Sequence, residues 1–266
     1  MNDSIIELAL WQVLIAYVFV AIILVILRTR NISRERILVI ATLRMSFQLV
    51  IVGLLLTWVI ENPHPFFTLL IILIMQGFAV YTVLSRFKGK LNRPLKQYIL
   101  MAIPSGTLLT LAYFLFLVIG IEPWYDPQYF IPIAGMIIGN SMTGITLGVH
   151  TMVNRFTNET AQVRGALTLG ASPKAASKPI VDEAFDAAIM PTINNMLGTG
   201  IIFLPGMMTG QILSGVLPST AVLYQITILL GILGGVALTT YIFLRVGYRA
   251  FFNDQAQLQT MDINHW

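Results

Sequence analysis

The chain has 266 residues, 56% of them hydrophobic and only 11% charged, where a soluble domain carries roughly 45–50% apolar and about 25% charged residues. So little polar surface cannot coat a water-soluble fold of this size, so the composition excludes a soluble globular protein and points to a bilayer. The formal net charge of +4 follows membrane topology rather than a nucleic-acid patch, and the lack of cysteine excludes disulfides, thiolate metal sites and thiol nucleophiles.

A membrane-crossing helix needs about 20 mostly apolar residues. About seven stretches qualify: Ile5–Leu27, Ile37–Ile60, Phe66–Leu84, Tyr98–Ile121, Phe130–Met152, Ile189–Val216 and Ala221–Val246. No Lys or Arg precedes Arg28, so the first stretch lacks the basic region of a secretory signal and reads as a retained helix. In hydrocarbon the backbone must satisfy its own polar groups. The expected fold is therefore all-α: a polytopic membrane helix bundle, with residues 1–266 forming a single transmembrane domain.

The connections alternate in charge. Arg28 to Arg36 fall in the first, and Arg86, Lys88, Lys90, Arg93 and Lys96 in the third. Arg155, Arg164, Lys174 and Lys178 fall in the fifth, and Arg245 and Arg249 follow the last stretch. The other connections and the N-terminus hold Asp3, Glu61, Glu122 and Asp126 and no basic residue. Lys- and Arg-rich loops stay cytoplasmic, which predicts N-out/C-in topology in the plasma (cell inner) membrane. Trp58, Trp124, Tyr125 and Tyr129 suit an outer aromatic belt, and Tyr248, Phe251 and Phe252 an inner one.

Inside the second stretch, Arg44 and Gln48 share a helix face. Polar groups in hydrocarbon are costly and face a bundle interior or a water-filled path, although Arg44, about 10 Å from the cytoplasmic end by helix rise, also has reach enough to snorkel. In the fifth stretch Asn140 lies among small residues, and Gly135 and Gly139 have the four-residue spacing that lets helices approach.

The longest connection, Val153–Ala188, reads as a cytoplasmic helical hairpin. Gly170 suits a helix C-terminus, Ser172 an N-cap and Pro173 a first helical turn, so Val153–Leu169 and Pro173–Ala188 become two arms that extend the fifth and sixth membrane helices. Further on, Pro205-Gly206 interrupts the sixth stretch, since proline removes a backbone hydrogen bond and glycine permits an unwound chain. Broken helices expose carbonyls or serve as hinges. Asn194 precedes the break, and Met207 and Met208 follow it. Thioethers suit soft ions such as Cu(I), and methionines in an apolar chain also serve as flexible packing, so the metal ligands remain unassigned.

No G-x-x-x-x-G-K-[ST] loop, H-E-x-x-H or G-x-S-x-G occurs, so neither ATP hydrolysis nor a familiar hydrolase chemistry is expected in this chain. His64, His150 and His265 are expected on both sides of the membrane and form no common site.

The run Leu169-Gly170-Ala171-Ser172-Pro173-Lys174 resembles the cytoplasmic loop signature of ABC-transporter permeases, E-A-A-x-x-x-G with L-G-A-S in its middle, and Ile180 falls at the expected distance after the glycine. Arg164 stands where that pattern has its glutamate, and Asp182-Glu183 where it has L-P. Together with Ile131–Met142 and Leu204–Gly210, the run is similar to motifs of the FetB-type iron-export permeases. The resemblance implies a non-catalytic permease domain over residues 1–266, with residues 153–188 as the coupling loop. It also implies a separate ABC ATPase subunit that binds the ATP, and a homodimer within a two-plus-two complex in the lipid bilayer. The last five helices would form the permease core and the first two an addition. Leu169 to Lys174 become the ATPase-coupling residues. Arg44, Gln48, Asn140, Asn194, Pro205, Gly206, Met207 and Met208 are the candidates for the translocation pathway or gate. Iron or a related metal is the implied cargo and a nucleotide sugar the alternative. An ATP-independent secondary carrier or channel is the rival, and it predicts an acidic residue in a helix interior, which the sequence lacks.

Overall fold

The computed structural model describes residues 9–87, 89 and 91–259. The start of the first apolar stretch at Ile5, together with Asp3, Lys88, Lys90 and His265, lies outside them. Among the described residues the chain is helical, and the bridges Thr199–Phe203 and Phe252–Leu258 are its only extended pairings.

In chain order, α1 (Leu10–Ala16) and α2 (Val18–Thr29) meet at Tyr17 and act as one span. They are followed by α3 (Glu35–Glu61), α4 (Pro65–Arg86) and α5 (Arg93–Tyr113), which runs on through a π-helical turn at Phe114–Ile119. Next come α6 (Pro127–Asn158), α7 (Thr160–Thr168), α8 (Pro173–Gly198), α9 (Gly206–Leu213), α10 (Pro218–Gly247) and a 3-10 turn at Tyr248–Phe251. Pro65, Pro127, Pro173 and Pro218 each open a helix in its first turn, where a missing N–H has no partner to lose.

Among the described residues, six helical segments are long and apolar enough to cross a membrane. The protein is a multi-pass membrane protein. The expected sixth stretch, Ile189–Val216, is interrupted as expected, but the helix ends seven residues earlier than Pro205. α8 stops at Gly198, Gly200 turns the backbone to φ +89°, and α9 begins only after Pro205. Between them Ile202 N–H donates to Gly198 O at 3.0 Å and Gly200 N–H to Phe203 O at 3.0 Å, so the chain folds back on itself. Proline at 205 and a left-handed glycine at 200 are together incompatible with a continuing helix.

The core belongs to α4 onward. Leu95, Ile99, Ile103, Ile145, Val149 and Phe243 are fully buried within it. Small residues let its helices touch. A Cβ on Gly106 of α5 would lie 2.4 Å from Thr239 Oγ1 and 2.5 Å from Thr239 Cα of α10. On α6, a Cβ on Gly144 would lie 3.2 Å from the Ala188 carbonyl oxygen of α8, and one on Gly148 3.3 Å from that of Ala184. The expected approach at Gly135 and Gly139 is therefore displaced. Gly139 faces open space and Gly135 meets only the Met75 methyl, at 3.1 Å. The same four-residue spacing recurs two turns later, on the face that packs.

The first helices contribute little to this core. α1 and α2 bury nothing and α3 only Val59. They are held by a Tyr17–Ser46 hydroxyl contact and an edge-on Trp58–Phe67 pair at 4.9 Å. At the basic end, Phe251 also departs from its expected belt position. It is buried and stacks on Phe156 at 4.0 Å, while Asn92 Nδ2 donates to Ala250 O at 2.6 Å.

Candidate functional site: a hairpin tip and a broken helix

The hairpin forms as its local chemistry requires. α7 ends in a Schellman motif: Gly170 N–H donates to Leu167 O and Ala171 N–H to Ala166 O, both at 3.0 Å, with Gly170 at φ +90°. These bonds use the carbonyls that the last helical turn leaves free. Ser172 then caps α8, its hydroxyl accepting from Ala175 N–H at 3.3 Å, and Pro173 takes the first helical position. The turn is thus fixed at both ends.

Its tip is apolar and uncovered: Leu169 is 91% exposed. Ser172 and Lys174 border two cavities of about 850 and 660 Å³. The larger lies between α8 and α10, against Phe185, Tyr241 and Arg245; the smaller lies beside Tyr98, Tyr248 and the Asn253–Gln259 segment. Behind the tip, α7 joins α6 across a break at Glu159, where the sequence led to one unbroken arm, and the other arm is α8 itself. α8 alone has 26 residues, about 39 Å of helix.

The pathway candidates separate into groups. Asn194, Pro205, Gly206, Met207 and Met208 gather at the α8–α9 break. Asn194 is exposed on the last turns of α8, and Pro205 is the N-cap of α9. Met208 is buried and Met207 packs at the core margin, so both have packing neighbours. Asn140 is half-buried on α6 and donates to Met136 O of its own helix at 2.7 Å. Arg44 and Gln48 stand elsewhere, exposed on α3, with the Arg44 guanidinium 5.0 Å above the Phe78 ring of α4. That is a cation–π contact. Among the described residues no group of three or more His, Asp or Glu is placed to share a metal ion.

The structure extends the polar residues around Asn140 into two larger arrangements. Along the outer face of α6, Asn140, Thr143, His150 and Asn154 form a polar stripe at helical spacing, Asn154 Nδ2 lying 3.3 Å from the His150 ring nitrogens. The spacing of these four positions was a readable signal. The second is a polar seam in the core. Gln76 Nε2 donates to Thr107 Oγ1 at 2.7 Å, while Gln76 Oε1 and the Ser141, Thr239 and Thr240 hydroxyls are buried without a hydrogen-bond partner among the described residues. Ser141, beside Asn140 in the fifth stretch, and Gln76, in the middle of an apolar helix, were its readable signs.

Comparison with known proteins places this arrangement. A family described as "Uncharacterised protein family (UPF0014)" matches residues 10–252. The chain belongs to this family. One relative, the "Probable iron export permease protein FetB" of Escherichia coli K12, is 32% identical over 244 residues, 92% of each chain. The UPF0014 membrane protein YjkA of Bacillus subtilis is 32% identical over 246 residues, covering 91% of this chain and 95% of its own. "Protein ALUMINUM SENSITIVE 3" of Arabidopsis thaliana is 29% identical over 246 residues, 92% of this chain and 88% of its own. No solved structure matches. The UPF0014 match takes in the hairpin and the broken helix, and it also spans α1 to α3, so the lightly packed leading helices are part of the family's chain.

Proposed function

We propose that this UPF0014 protein is the permease subunit of an ABC transporter. It performs no chemistry itself: a separate ATPase subunit binds ATP and docks on the Leu169–Lys174 turn. The cargo is iron or a related metal ion moved out of the cytoplasm. The observation that carries the reading is the exposed Leu169 on a turn capped at both ends, between an arm that follows the long apolar helix α6 and the 26-residue α8. A rigid lever converts a push at its tip into rotation of the helices behind it, which a flexible loop cannot do. The name of the E. coli relative supports the cargo.

Two copies assemble with two ATPases. The polar stripe of α6 and the exposed Asn194 of α8 suit this arrangement, because amide and hydroxyl groups at membrane depth avoid lipid. They face an aqueous path or the second copy. The α8–α9 break lies at the end of the α8 lever and acts as its hinge or gate.

The test is ATPase activity of the two-subunit complex in proteoliposomes across a series of divalent ions. Stimulation by ferrous iron or a related metal is the expected result. A flat response to every metal with stimulation by a nucleotide sugar replaces the cargo. Full transport by this chain alone, without ATP, overturns the ABC assignment.

A further inference from the structure

Arg155 sits one turn from the end of α6, and its guanidinium is forked. Nη1 donates to Glu159 and Nη2 to Glu183. Glu159 is the residue at which the helix breaks between α6 and α7, with φ −106° and ψ 21°. Glu183 belongs to α8, the opposite arm. One side chain therefore ties together the descending helix, the kink and the ascending helix.

The position matters. Above it, α6 and α8 are held by backbone-level packing at Gly144 and Gly148. Below it, α7 buries only Val163. Apolar packing at Val163, Leu167, Ala176 and Ile180 continues below it, and among the described residues the fork is the last ion pair between the arms before the turn. Its members keep much of their exposure, 40% for Arg155, 45% for Glu183 and 21% for Glu159. Exposed ion pairs contribute little to stability, so holding the fold together is a poor account of this one. What a guanidinium supplies is planar, directional geometry, which fixes two carboxylates relative to each other as an ammonium cannot.

We propose that Arg155 is a positioning residue for energy coupling. It locks the α6–α7 kink to α8, so that force applied at Leu169 moves both arms as one body. This rests on the permease reading above.

The experiment uses the full chain with its ATPase and measures metal ions transported per ATP hydrolysed, alongside co-purification of the ATPase and the melting temperature of the complex. The expected result for Arg155→Lys and Glu183→Gln is a ratio lower by about five- to tenfold, with co-purification and melting temperature unchanged. The exchange Arg155→Glu with Glu183→Arg restores at least half of the ratio, since the new guanidinium again faces two carboxylates. Separately, the lack of native cysteine allows spin labels on cysteines placed at Gln162 and Asp186, and Arg155→Lys broadens their distance distribution in the permease alone. An unchanged ratio in both single variants overturns the proposal. So does an unchanged distance distribution, or a loss that follows a fall in melting temperature. A wild-type chain that retains no ATPase but whose labels still loosen in Arg155→Lys instead sinks the permease reading and leaves the lock as a purely mechanical one.

Discussion

Gly106 sets how closely α5 and α10 approach. Its missing side chain is filled by the backbone of Thr239, at 2.5 Å from where a Cβ would be, and backbone cannot swing aside as a side-chain tip can. Gly106→Ala therefore forces the two helices apart, and overpacking of this kind costs about 1–3 kcal/mol. Gly139→Ala is the matched control, since nothing lies within 4 Å of its Cβ position. Thermal melting in detergent is expected to separate the two, with a clear fall for the first and almost none for the second. The pair also shows where sequence reading stops. Gly135–Gly139 and Gly144–Gly148 carry the same four-residue signal, and only the three-dimensional arrangement decides which of them meets a neighbour. Arg44 illustrates the same limit. Its helix face was legible, but its rest over Phe78 depends on how α3 lies against α4.

At the scale of elements, the hairpin was the most legible part of the chain. Gly170, Ser172 and Pro173 each act through their own backbone or the next turn, so the information is local and the capped turn follows directly. The α8–α9 break was legible only in part. Pro205-Gly206 announced an interruption, but the fold-back that starts at Gly198 needs Phe203 to pack there, its ring 2.8 Å from where a Gly198 Cβ would lie. For the hairpin, Gly170→Ala places a side chain at φ +90°, a conformation that costs an L-residue roughly 1 kcal/mol. Ser172→Ala removes a cap worth about 0.5–2 kcal/mol. Both losses are local, so the bundle stays folded while the turn loosens. ATPase stimulation by the permease is expected to fall several-fold in each variant, with circular dichroism unchanged. Full stimulation in both would show that turn rigidity has no part in coupling.

For the whole molecule, the charge alternation makes orientation a direct measurement. The absence of cysteine gives a clean background for single substitutions. Leu169→Cys, at the exposed hairpin tip, is expected to react with a membrane-impermeant maleimide only in inverted vesicles. Glu122→Cys, at the opposite end, is expected to react only in intact cells. The reverse pattern would place the hairpin outside and remove the basis for an ATPase contact. Fold class and most span positions were readable because hydrocarbon imposes one rule on every stretch. The packing hierarchy was not, since α1 to α3 are as apolar as the helices that build the core. That hierarchy has a consequence for the bilayer itself. α3 has 27 residues, about 40 Å of helix, against roughly 30 Å of hydrocarbon, and it buries a single side chain. With so little packing to fix it, its excess length is expected to be taken up by tilting that follows the thickness of the bilayer, within what its contacts at Phe67 and Phe78 of α4 allow. A thin membrane tips this leading hairpin over and a thick one stands it up, while the block from α4 onward keeps its shape.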